Sequence, residues 1–117
     1  MTDHIVCLTN KTGMNHIKEL IDKNSWEKVI VITTEEMAGV FNPQNEVNMF
    51  IINSAMTTKE LAADLIQKLK GNVNGMEVAL NLFSGTGKEH MAILSALLKI
   101  GMGIRLVKQG KDGFEEL

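Results

Sequence analysis

Glu77-Val78-Ala79-Leu80-Asn81-Leu82-Phe83-Ser84-Gly85-Thr86-Gly87-Lys88-Glu89-His90-Met91-Ala92 reads as a buried strand, a turn of small residues and the opening of a long apolar helix. The turn from Ser84 to Lys88 offers backbone N–H groups, two hydroxyls and one ammonium. N–H groups converge at such a strand-to-helix turn, and the helix N-terminus adds partial positive charge, so the turn has the character of a phosphate seat. The alternative is an ordinary tight connection whose glycines solve only a steric problem. The rest of the chain bears on that choice.

Upstream, His4 to Leu8 reads as a first strand, Thr9-Asn10-Lys11-Thr12-Gly13 as a polar turn, and Met14 to Lys23 as a helix with Met14, Ile17, Leu20 and Ile21 on one face. Lys28 to Thr33 carries the continuous apolar run Val29-Ile30-Val31-Ile32, which suits a strand covered on both faces, as in a parallel sheet. Thr34 to Phe41 is at most a short helix, ended by Pro43, and Val47 to Asn53 is a third strand. Thr57-Thr58-Lys59-Glu60 is a capping box opening a helix to about Lys70, with Leu61, Leu65, Ile66 and Leu69 on one stripe. The fourth strand is Met76 to Phe83. Thr86-Gly87-Lys88-Glu89 repeats the capping-box spacing before a helix to Ile100, and Ile104 to Lys108 is a fifth strand. Lys111-Asp112-Gly113 is a hairpin turn that returns Phe114 to Leu117 as a short antiparallel strand.

Strands alternating with helices predict a Rossmann-like α/β three-layer sandwich, with a mostly parallel sheet in the order 3-2-1-4-5-6 and a C-terminal antiparallel hairpin strand. In that order the direction of winding reverses between strands 1 and 4, and ligands bind beyond the carboxyl ends of the strands at such a point. The loops meeting there are Thr9–Gly13 and Ser84–Lys88, both rich in hydroxyls and each with one lysine.

A chain of 117 residues with 44% apolar content is expected to form one domain, residues 1–117, built from Ile, Leu, Val, Met and Ala because aromatics are only 4%. A net charge of −2 argues against a duplex nucleic-acid binder but leaves room for one small anionic ligand. No apolar run reaches membrane-spanning length and no signal peptide opens the chain, so no membrane is expected and the location is expected to be cytoplasmic. The single cysteine, Cys7, is expected to be an inert buried thiol among Ile5, Val6 and Leu8.

Several chemistries fail on spacing. A Walker P-loop ending at Gly87-Lys88 would need glycine at position 82 and a hydroxyl at position 89, where Leu82 and Glu89 stand, so no NTPase is expected. The first turn holds only Gly13, and Gly85-Thr86-Gly87 continues to His90 rather than glycine, so no dehydrogenase is expected. His4, His16 and His90 have no ligand spacing with Cys7 or a carboxylate, and neither a metal nor a cofactor is expected. His4 is placed at a strand entrance, His16 on an exposed helical face, and His90 in the first helical turn at the site. Glu35-Glu36 is read as first-turn glutamates favoured by the helix dipole.

The Lys88–Ile100 helix has two apolar stripes, Met91/Leu94/Leu98 and Ile93/Leu97/Ile100, with only Ser95 and Lys99 as a clear polar strip. A helix apolar on nearly all sides needs more cover than one sheet face. That cover is either a partner subunit, with Leu97 at the centre of the contact, or the neighbouring helix and the C-terminal hairpin.

The order of elements, the Ala79–Ala92 strand-turn-helix and the hairpin from Arg105 to Phe114 resemble a CARF domain, the CRISPR-associated Rossmann-fold sensor. The resemblance spans nearly the whole chain, and its specific part is one motif. The family carries Asn or Asp in the fourth strand, then Gly-Gly-Thr-Lys/Arg, then Met. Here Asn81, Ser84-Gly85-Thr86, Lys88 and Met91 match, with Gly87 and one further residue interposed. The resemblance implies a homodimer binding a cyclic oligoadenylate, a cyclic oligonucleotide ligand, through Thr9, Asn10, Lys11, Thr12 and Gly13 and through Ser84, Gly85, Thr86, Gly87 and Lys88. A sensor of this form acts through a separate effector protein. Two alternatives stay open: a metal-independent ring nuclease, for which Lys88, Lys11 and Ser84 are the candidate catalytic residues, and a Rossmann-like module without a CRISPR link that binds another small anion or serves in assembly.

Overall fold

A computed structural model describes residues 2–117. The chain runs β1 (Asp3–Leu8), α1 (Met14–Asp22), β2 (Lys28–Thr33), α2 (Glu35–Ala38), β3 (Asn48–Ile51), α3 (Thr58–Leu69), β4 (Glu77–Asn81), α4 (Gly87–Lys99), β5 (Gly103–Gly110) and β6 (Gly113–Glu116). These strands form one sheet in the order β3-β2-β1-β4-β5-β6. The first five are parallel and β6 returns antiparallel to β5, as the alternation predicts.

The burial pattern follows from that order. β1 and β2 lie in the interior of the sheet with helices on both sides, and nearly every residue of both is buried. Ile5, Cys7, Ile30, Ile32 and Leu80 face Leu61, Leu65 and Leu69 of α3 and Ile93 and Leu97 of α4. On the opposite face Val6, Leu8, Val29 and Val31 pack against Ile17 and Ile21 of α1, with Met37 and Phe41 alongside. Alternate residues of each central strand therefore feed two separate cores, as the two-residue period of a strand requires.

Helix ends match their local chemistry. Thr57 accepts the Glu60 N–H, and the Glu60 carboxylate accepts the Thr57 N–H, so the capping box that opens α3 is complete. Thr34 caps α2, whose first turn holds Glu35 and Glu36. β4 is shorter than Met76–Phe83: Met76 is 87% exposed, and the strand stops where the Asn81 side chain takes the Phe83 N–H. β5 is longer than Ile104–Lys108 because pairing with β6 extends it through Gly110.

The two stripes of α4 separate once the fold is formed. Ile93 and Leu97 are fully buried against α3 and the sheet. Met91 and Leu98 are 66% and 68% exposed, and Leu94 is half-buried. Leu97 is therefore a core residue of the subunit itself and cannot centre a contact between subunits. His16 also departs from expectation. It is half-buried, because its ring stacks on Phe83 with centroids 4.4 Å apart and planes 22° from parallel.

Candidate functional site

The reversal of strand order falls between β1 and β4, and it brings the loops after these strands, Thr9–Gly13 and Ser84–Lys88, side by side. Three contacts knit the first loop to the second and to the residues that flank it, Phe83 and Glu89. Ser84, fully buried, donates its hydroxyl to the Asn10 backbone carbonyl and side-chain oxygen, both at 3.2 Å. Thr9 donates its hydroxyl to the Glu89 carboxylate at 2.7 Å. Phe83 lies against Gly13, where an added Cβ would fall 2.3 Å from the ring. Gly13 has φ +75°, so a glycine is required there on conformational as well as steric grounds.

Glu89, read in the sequence only as the end of a capping box, is central to the site. It is 5% exposed, and its carboxylate accepts the Thr9 hydroxyl, the Thr86 hydroxyl and the Thr86 N–H. Burial raises the pKa of this carboxyl, but the hydrogen bonds from Thr86 and Thr9 outweigh it and hold the group below the usual carboxylate value. The N-terminus of α4 thus already carries an internal anion. Three donors expected to face a ligand, those of Thr9 and Thr86, are engaged with it. A sequence signal for this role did exist: the capping-box spacing Thr86-x-x-Glu89 places the glutamate back over its own helix start.

The other predicted positions divide into those inside the weld and those on its rim. Asn10 also accepts the Thr12 N–H, closing a local turn. Gly85, at φ +103°, passes so close to Cys7 Sγ, Thr9 Oγ1 and His90 Nε2 that a Cβ would fall 2.8 to 3.2 Å from them. Lys11, Thr12, Thr86 and Gly87 are exposed. The first N–H groups of a helix have no intrahelical acceptor, so the Gly87 end of α4 offers donors at the surface. The Lys88 ammonium is turned toward the loop after β3, where it donates to the Ser54 carbonyl at 2.7 Å. The interposed Gly87 thus accompanies a lysine directed to the side of the crevice.

Of the histidines, His16, stacked on Phe83, and His90 belong to this end of the molecule. The His90 Nε2 lies 2.8 Å from the Ser84 carbonyl and donates to it. His4 is at the opposite end of β1, donating Nδ1–H to the Ala79 carbonyl and stacking on Trp26. Cys7 is fully buried beneath the turn. Burial, and then the nearby Glu89 charge, push its thiol up to about 12, so it is inert as a nucleophile. Asn81 is 3% exposed and serves the fold: it donates to the Val107 carbonyl of β5 at 2.8 Å and accepts from Phe83 N–H. Among the described residues no group of three or more His, Cys, Asp or Glu side chains is arranged to hold a metal ion, and no helix is long and apolar enough to cross a membrane.

No protein-family model matches this chain, and no curated protein matches it.

Proposed function

We propose that the chain is a nucleotide-sensing domain that binds a cyclic oligoadenylate at the β1/β4 switch point of a homodimer. The observation that carries this reading is the welding of Thr9–Gly13 to Ser84–Lys88 where the strand order reverses, which leaves Lys11, Thr12 and the exposed start of α4 on one rim. The buried charge of Glu89 supports a phosphodiester over a terminal phosphate. A nearby carboxylate repels a dianion more strongly than a monoanion, and a closed ring has only diesters. Met91, exposed on α4 and lining an apolar groove with Ala62, Ala63 and Ile66 of α3, and Leu98, exposed on the same helix seven residues on, favour a contact between two copies about a two-fold axis.

Binding is placed ahead of cleavage. Ser84 is fully buried with its hydroxyl engaged by Asn10, and the Lys88 ammonium is held at Ser54, so two of the three candidate catalytic groups are occupied elsewhere. The test is calorimetric titration with cyclic tetra- and hexa-adenylate, with chromatography of the recovered ligand. Saturable binding of an intact ring is expected. Linear products would establish the nuclease, and no heat with either ring would remove the sensor.

A further inference from the structure

We propose that Phe83 is a stacking platform for a nucleobase of the bound ligand; this rests on the reading of the crevice as a nucleotide site. Phe83 is 57% exposed just beyond the carboxyl end of β4, directly beside the two loops. Other aromatic residues of this aromatic-poor chain are accounted for by packing. Phe41 and Phe50 belong to the two large cores. Trp26 and Phe114 contact each other, with ring centroids 4.9 Å apart, and Trp26 also stacks on His4. Phe83 alone presents an aromatic surface at the switch point.

The position is built from three sides. The backbone N–H of Phe83 is held by the buried Asn81 side chain at 3.1 Å. The ring sits on Gly13, where any side chain would collide with it at 2.3 Å. One face is backed by the His16 ring, 4.4 Å away and nearly parallel. His16 in turn accepts hydrogen bonds at Nε2 from Gln109 N–H at 3.4 Å and from the Asn81 amide at 3.5 Å. These contacts require an unprotonated Nε2, and they continue the support into β5. An exposed aromatic fixed in this way loses little conformational freedom on stacking, and a base placed on it extends a two-ring stack to three. Every nucleobase has a flat face, so the platform recognises the base as a plane, while the neighbouring loops contact the phosphodiester.

The experiment uses two probes on the wild type, Phe83→Ala and Phe83→Trp. Adenosine, which carries no phosphate, is titrated while the aromatic proton resonances of Phe83 and His16 are followed. Cyclic tetra-adenylate is titrated by calorimetry. Adenosine is expected to move the Phe83 and His16 signals in the wild type. Phe83→Ala is expected to weaken cyclic tetra-adenylate about 5- to 150-fold per stacked base, whereas Phe83→Trp retains or tightens binding. Cyclic tetra-adenylate bound equally by wild type and Phe83→Ala overturns the platform and leaves the sensor reading standing. Adenosine shifts at Phe83 with no binding of cyclic tetra-adenylate, and none of the hexa-adenylate ring, remove the sensor reading and keep the platform. Silence with adenosine and with both rings removes both. A Phe83→Ala variant that changes only the monomer–dimer balance overturns the platform in favour of a subunit contact.

Discussion

The Thr9 hydroxyl donates to the Glu89 carboxylate at 2.7 Å, joining the end of β1 to the start of α4 across 80 residues of chain. Glu89→Ala removes the acceptor for Thr9 and for both Thr86 donors. The expected loss is about 1–3 kcal/mol of folding stability, read from chemical denaturation. Thr9→Val should cost less, and the double variant should be non-additive because the two residues share one bond. A Glu89→Ala protein as stable as the wild type would show that the loops hold without this clasp.

Acid should destabilise the fold in two windows. His4 is fully buried, and burial lowers it to about 4 despite its bond to the Ala79 carbonyl; among the described residues its Nε2 has no partner. Its folded value is below its ordinary one, so the unfolded chain binds the extra proton first. Stability is complete above about pH 6.5 and falls between there and about pH 4, by about 3 kcal/mol. His4→Phe keeps a ring against Trp26 and removes this titration, so the loss over that range should shrink to the part left by His16, which burial and the nearby Lys108 charge also lower. Glu89, held below the usual carboxylate value, adds a second loss only as the pH falls below about 4.5 and through its folded value. Denaturation midpoints from pH 7 to pH 3 on wild type and His4→Phe separate the windows.

Charge introduced on α4 should have opposite consequences at adjacent positions. Leu98→Glu is expected to leave stability within about 0.5 kcal/mol of the wild type and to dissociate the proposed dimer in sedimentation velocity. Leu97→Glu buries an unpaired carboxylate among Ile93, Leu65 and the sheet and should unfold the subunit. A wild-type protein that sediments only as a monomer at micromolar concentration would dispose of the dimer.

The two lysines of the loops should not be equivalent. Lys11 is exposed on the rim, whereas the Lys88 ammonium is held by the Ser54 carbonyl. Lys11→Ala is expected to weaken cyclic oligoadenylate by about 1.5–3 kcal/mol per subunit, the scale of a charge-assisted hydrogen bond, and Lys88→Ala by less. Calorimetry giving the reverse order would mean that Lys88 swings into the crevice when ligand binds.

Gly13→Ala should be among the more damaging small substitutions. It combines a φ of +75° with a Cβ placed 2.3 Å from the Phe83 ring, and a loss above about 1 kcal/mol is expected. Phe83→Ala in the same chain should recover the steric part and leave the backbone part. No recovery would show that the ring moves aside without cost.

The sequence by itself determined the class of fold. Continuous apolar runs such as Val29–Ile32 and the single-faced stripe of Leu61, Leu65 and Leu69 are local patterns, and their periods dictate buried strands and a covering helix wherever they lie. The same local logic announced the capping boxes at Thr57 and Thr86 and brought the loops after β1 and β4 to one end of the sheet. Only tertiary structure decided what those loops do with their polar atoms. Whether the Thr9 hydroxyl faces a ligand or Glu89, and whether the Lys88 ammonium faces the crevice or Ser54, depends on which group lies within about 3 Å across tens of residues of chain. The stripes of α4 were equally ambiguous. Leu97 and Leu98 are neighbours in an apolar helix, and the 100° between them, set against the position of α3, buries one and exposes the other.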